Sequence, residues 1–276
     1  MNIVDQYREQ LQENRPITYK DLELHPLTVR HFALYQSAKP AFELMQGTLP
    51  PALARLSWFN CLAELDKKAR EEGKIADFLG SVLRVLAAAL RLEAVVDPRR
   101  PGEPYYPIRT ALSKETGKPA AIVIGVRENR LIDARDMGQL RLLLAAQNGY
   151  TVPDENWSTE LVKAQNYTQR LKAPEGVCFE LEALVYSVAA NTGVRAAEIW
   201  DWPLREFFGM QAAIDRKLDY QLYAAAELCG GVQFKHGNPC PTWKFDRKAE
   251  LPGAFQDINE LDAGAKGLLT DTTKKE

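Results

Sequence analysis

ALARLSWFNCLAELDKKAREEGKIADFLGSVLRVLAAALRL, residues 52–92, is the stretch on which the fold class turns. Its first part, Ala52 to Glu72, places Leu53, Leu56, Phe59, Leu62 and Leu65 on one face of a helix, and Gly73 closes it. Its second part, Ile75 to Leu92, is apolar on most sides through Phe78, Leu79, Val82, Leu83, Val85, Leu86 and Leu90. A helix that is apolar nearly all round is a buried one. Val82–Leu92 is the longest apolar run, yet Arg84 and Arg91 interrupt it, and it is too short and too charged to span a bilayer. Two such helices in succession predict a mainly α protein.

Toward the N-terminus, Ile3, Val4, Tyr7 and Leu11 recur at three- and four-residue steps and predict a short amphipathic helix ended by Asn14 and Pro16. ITYKDLEL, 17–24, alternates apolar and polar residues on either side of Lys20–Asp21, a small hairpin. Thr28 is placed to N-cap a helix carrying Phe32, Leu34 and Tyr35. Pro40 interrupts that helix or starts a new one.

Toward the C-terminus, DPRRPGEPYYP, 97–107, holds four prolines and excludes a helix. We read it as a linker or an ordered crossover. IRTAL (108–112) and AAIVIGV (120–126) flank the loop SKETGKP as a second hairpin, with Arg130–Ile132 as a third short strand. DARDMGQLRLLLAAQNG, 133–149, has acids in its first turn and ends on Asn148–Gly149, so it predicts a helix. Further helices are expected at Ser158–Leu171, Phe179–Asn191 and Leu204–Leu228, with Gly230–Gly231 stopping the last and Val232–Phe234 as a brief strand. The expected class is mainly α with two small β-hairpins (α+β), in helical bundle-like halves. The expected domains are 1–96 (hairpin plus helices), the Pro-rich linker 97–107, 108–250 (hairpin plus helices) and a flexible tail at 251–276.

Composition narrows the function classes. The 276 residues carry a net charge of −2, with 46% hydrophobic and 26% charged residues, which are globular values. Near-neutral charge argues against a dedicated nucleic-acid binder. Cys61, Cys178, Cys229 and Cys240 form no C-x-x-C pair and read as reduced thiols of a cytoplasmic protein. The N-terminal residues have no basic stretch followed by an apolar core, so a soluble, intracellular chain with no membrane partner is expected.

Enzyme signatures are missing from the sequence. There is no G-x-x-x-x-G-K-[ST], no G-x-S-x-G, no H-E-x-x-H, and no G-x-G-x-x-G after a strand. Cys229, His236 and Cys240 are spaced C-x6-H-x3-C, and Cys178 is a fourth zinc ligand only if the fold brings it close. Without closely spaced pairs the structural reading is preferred, and no metal or cofactor is assigned. Asp133/Asp136 suit a helix N-terminus and Asp215/Asp219 a solvated face, so no catalytic residue is assigned.

SVAANTGVRAAEIWDW, 187–202, has the spacing of a helix-turn-helix, with Gly193 in the turn. Its second helix offers Arg195 but also Glu198 and Asp201, which phosphates repel. A DNA-binding regulator is therefore the alternative reading. Trp200, Trp202, Phe207, Phe208, Tyr220 and Tyr223 are a dense aromatic group, mostly core by size, with Trp200 and Trp202 as candidate partner contacts. Val4, Tyr7 and Leu11 on the N-terminal helix are the other candidates.

TYKDLELHPLTVRHFALY, with Pro26, Leu27, Thr28, Val29 and Arg30, resembles the start of phage tail assembly chaperones and related tail-module proteins, where a short hairpin runs into a Pro-Leu-Thr-Val-Arg helix start. Residues 130–150 and 218–237 resemble prophage proteins encoded among the tail and baseplate genes of Gram-positive bacteria. The matching features are Gln147–Asn148–Gly149, Tyr220, Tyr223, Gly230–Gly231 and Phe234–Lys235. Tail chaperones are typically shorter, and 97–132 looks like an insertion relative to them. The resemblance implies a non-enzymatic tail assembly chaperone or baseplate-hub assembly factor. Its partners would be the tape-measure or the tail-tube and baseplate proteins, and its place the host bacterial cytoplasm or the virion tail.

Overall fold

The computed structural model describes residues 3–96, 104–115, 117, 119–125, 130–134, 136–150, 152, 180–229, 234, 240 and 242–244. The N-terminal periodicity produces two short helices, α1 (Ile3–Gln6) and α2 (Arg8–Gln12), because Tyr7 between them leaves helical geometry at φ −111° and ψ 19°. β1 (Ile17–Tyr19) and β2 (Leu22–Leu24) then form the expected hairpin, with Ile17 opposite Leu24 and Tyr19 opposite Leu22. The two-residue turn needs a positive φ at both positions, and Lys20 and Asp21 supply it at +48° and +62°. All four inward residues of this hairpin are buried.

Thr28, in extended backbone, opens a 3-10 turn at Val29–His31 that leads into α3 (Phe32–Phe42). Pro40 neither ends α3 nor starts a new helix. It forgoes one backbone bond, but Ala38, Ala41 and Phe42 around it are at most 2% exposed, and that packing holds the last turn. The 52–72 run also divides, into α4 (Pro51–Ala54) and α5 (Trp58–Glu71). Ser57 is extended there, and its hydroxyl accepts the Asn60 N–H at 3.3 Å as an N-cap.

α6 (Phe78–Ala89) is the buried helix that the sequence demanded. Val82, Val85, Leu86 and Ala89 are fully buried, and α6 packs on both α3 and α5. A neighbour caps its N-terminus: the buried Asp66 of α5 accepts the Phe78 N–H at 2.8 Å and the Leu79 N–H at 2.9 Å, one on each carboxylate oxygen.

The Pro-rich stretch contributes a strand that composition did not reveal. β3 (Val95–Val96) pairs antiparallel with β4 (Pro104–Tyr105). β5 (Ile108–Leu112), β6 (Pro119–Ile124) and β7 (Arg130–Asp133) form a three-stranded antiparallel sheet with β6 central, and Ile122, Val123 and Ile124 are buried. α7 (Asp136–Gln147) buries Met137, Leu140, Leu143 and Leu144. α8 (Leu181–Thr192), the single turn α9 (Ala196–Ile199) and α10 (Leu204–Leu228) follow. The fold is mainly α with small antiparallel sheets. No described helix is long and apolar enough to cross a membrane.

Residues Met1–Ala212 form one compact unit, and elements on both sides of 97–107 share its core. Arg141 of α7, 4% exposed, ties them directly: its Nε and Nη2 donate to the Phe42 carbonyl at 2.9 and 2.6 Å, and Nη2 donates to the Leu44 carbonyl at 2.6 Å. A guanidinium at the C-terminal end of α3 satisfies carbonyls that the helix itself leaves open. The Trp58 ring lies 5.1 Å from the same group. The second unit, Ala213–Glu276, begins within α10, and in it the Tyr223 and Phe234 rings meet edge-on at 5.6 Å. The helix expected at 158–171, most of the strand at 232–234 and the tail at 251–276 lie outside the described residues.

Candidate partner-binding groove

The motifs singled out in the sequence meet at one junction. The chain leaving β2 runs extended through Leu27 and Thr28, and the chain leaving α9 runs beside it. Leu204 N–H donates to the Leu27 carbonyl at 2.8 Å, Val29 N–H to Trp202 at 3.0 Å and Arg30 N–H to Trp200 at 3.2 Å. Thr28 and Pro203 form an antiparallel bridge. Gln147 and Asn148 fasten the same segment from the end of α7. The Gln147 amide donates to the Leu24 carbonyl at 2.8 Å, and the Asn148 side-chain oxygen accepts the Leu27 N–H at 2.9 Å. Gly149 then turns the chain at φ +81°, a conformation suited to glycine.

Beside this junction lies a groove of about 580 Å³. One wall is Val4, Asp5, Arg8 and Leu11 of the N-terminal helices. The other is Arg205, Phe208 and Gly209 at the start of α10, with Ala146, Gly149 and Tyr150 at the end of α7 between them. Its aromatic wall continues into the core. Tyr150 lies 6.4 Å from Phe208 and stacks on Tyr35 at 4.5 Å, and Tyr35 stacks on Phe42 at 5.4 Å. Burial pushes the hydroxyls of Tyr35 and Tyr150 above the usual phenol range. Both rings therefore act as neutral aromatic surfaces at any ordinary pH.

The five candidate contact residues fall into different environments. Val4 is half-buried and lines the groove. Leu11 also lines it but is only 3% exposed, so it is floor as well as core. Tyr7 is half-buried, and its hydroxyl donates to the Thr18 carbonyl at 2.9 Å, fastening the N-terminal helices to the hairpin. Trp200 and Trp202 are half-buried at the junction, where their carbonyls accept the two backbone bonds given above. Periodicity did not single out Arg205 and Tyr150. The available signals were that Tyr150 directly follows Gln-Asn-Gly and that Arg205 directly follows the Pro-Leu that opens a long helix.

The helix-turn-helix spacing gives α8, a left-handed Gly193 at φ +74° and α9. α9 spans four residues, too short to lie along a major groove as a recognition helix. Asp201 just beyond it is paired with Arg30. Among the described residues no cluster of three or more His, Cys, Asp or Glu could hold a metal ion, while Cys178 and His236 lie outside them. Comparison with protein-family models, with curated proteins and with solved structures finds no match to this chain.

Proposed function

We propose that this protein is a non-enzymatic assembly factor of a phage tail, a tail assembly chaperone or baseplate-hub assembly factor working in the host bacterial cytoplasm. It binds a tail protein, such as the tape-measure or a tail-tube or baseplate protein, through the groove beside its N-terminal helices. The observation that supports this reading most is the interlocking of the segments that carry the resemblance. Pro26–Arg30 fastens to Asn148 on one side and to Trp200–Leu204 on the other, next to a groove that includes Val4 and Leu11. A groove between helices suits capture of a helical segment before polymerisation.

Mass spectrometry of purified tail particles, run beside the lysate of the cells that make them, tests the reading. A transient chaperone is abundant in the lysate and missing from the particles. A fixed stoichiometry in the particles makes it a structural tail component instead. Normal particle yield after deletion of the gene would remove it from tail assembly altogether.

A further inference from the structure

We infer that the groove receives an acidic amphipathic helix, with the apolar face of that helix on Val4, Leu11, Tyr150 and Phe208 and one of its carboxylates on Arg205. The inference rests on the assembly reading for the partner's identity, and on the groove alone for the partner's chemistry. Charge decides the sign. Asp5 and Arg8 face each other at 2.8 Å and cancel. Arg205 is the surplus cation of the groove: its Nη1 reaches the Ala146 carbonyl at 3.3 Å, and no carboxylate among the described residues pairs with it. A backbone carbonyl leaves a guanidinium charge in place, and the planar fork of an arginine suits an incoming carboxylate. Shape decides the form. The walls are helices α1, α2 and α10, and about 580 Å³ holds a few side chains from one face of a helix rather than a broad protein surface.

Gly209 provides a clean block. A Cβ added there has nothing within 4 Å, and replacing a helix-interior glycine favours the helix, so Gly209→Leu fills the groove without disturbing the fold. The experiment places the photo-crosslinking residue p-benzoylphenylalanine at position 12 of the full chain, where the uncharged Gln12 of α2 also lines the groove and the Asp5–Arg8 pair is left intact, in cells producing tail particles. The crosslinked segment is then mapped by mass spectrometry. The expected product is a segment with apolar residues at helical spacing and an Asp or Glu in the crosslinked turn. Gly209→Leu should lower the yield about tenfold with an unchanged or raised melting temperature. Arg205→Gln should lower it several-fold, and Arg205→Lys should restore part of it.

An acidic amphipathic segment from a tail protein supports both readings. The same kind of segment from a protein outside the tail keeps the groove and overturns the assembly role. Four results overturn the groove while leaving the assembly role standing: no crosslink, a crosslink to a second copy of this chain, a segment lacking a carboxylate, or a yield indifferent to Gly209→Leu.

Discussion

The guanidinium of Arg30 forks onto the carboxylate of Asp201, Nε to Oδ1 at 2.6 Å and Nη2 to Oδ2 at 3.1 Å, across 171 residues of sequence. It clamps the exposed edge of the junction whose backbone bonds lie beneath. The hydrogen bond from Arg30 draws the Asp201 carboxyl below the usual carboxylate range. The clamp is therefore intact above that range and opens only as pH falls through the lowered value. Both side chains are exposed, so the pair adds orientation more than stability. Arg30→Glu and Asp201→Arg should each lower the melting temperature slightly, and the swapped double variant should regain most of the loss. Two single losses that merely add would show that the pair is not coupled.

Asp66 carries more weight, because it is buried and holds two N–H groups that α6 cannot satisfy itself. Asp66→Ala should cost about 2 kcal/mol, the loss of a charged cap on a buried helix end. Asp66→Asn keeps one acceptor oxygen and should cost about half as much. Urea unfolding at pH 7 measures both. An Asp66→Ala variant as stable as the parent would mean that water or another group caps α6.

The elements that sequence showed well are those whose cause is local. Leu204–Leu228 was legible to the residue because Pro203 precedes it and Gly230–Gly231 follows it. The hairpin at 17–24 was legible from its period of two. Pro40 lies inside its helix because buried neighbours, not its own preference, settle whether the helix continues. The break at Ser57 is not legible from periodicity, because a hydroxyl cap leaves no mark in an apolar pattern. The candidate site was less legible. Gln147 and Asn148 read only as a helix end, yet their side chains bond residues more than 120 positions away. Trp200 and Trp202 stood out as aromatic surfaces, whereas the structure also uses their backbone carbonyls. Partners that distant in sequence are set by tertiary packing, which periodicity does not encode.

Tyr35 is fully buried, and its hydroxyl has no hydrogen-bond partner among the described residues. A buried donor without a partner destabilises the folded state, whereas the ring gains from stacking on Tyr150 and Phe42. Tyr35→Phe should be neutral or stabilising by up to about 1 kcal/mol, since it removes the hydroxyl and keeps the stack. Tyr35→Ala should cost about 3–5 kcal/mol through the cavity it leaves. A clearly destabilised Tyr35→Phe would reveal a bound water or a partner for that hydroxyl.

The described histidines, His25 and His31, should make stability depend on pH near neutrality. Burial, then the nearby Arg91, lowers the pKa of His25 against a smaller opposing effect of Glu23. Burial, then Arg30, lowers that of His31. The His31 Nδ1 also faces the Thr28 N–H at 3.4 Å, an arrangement that favours an unprotonated nitrogen. Between its lowered folded value and about 6.5, each histidine binds more protons unfolded than folded. Stability should therefore be full above about pH 6.5, decline as pH drops below it, and level off once the folded histidines are protonated. Asp201 and Glu72, both drawn below the carboxylate range by hydrogen bonds from Arg30 and Lys74, lose their contributions at lower pH still. Urea midpoints at pH 7.5, 6.5 and 5.5 (chosen to bracket the histidine range) should fall in that order. A His25→Gln, His31→Gln double variant should flatten the series, and a parent chain equally stable at all three values would show that neither histidine is held neutral by the fold.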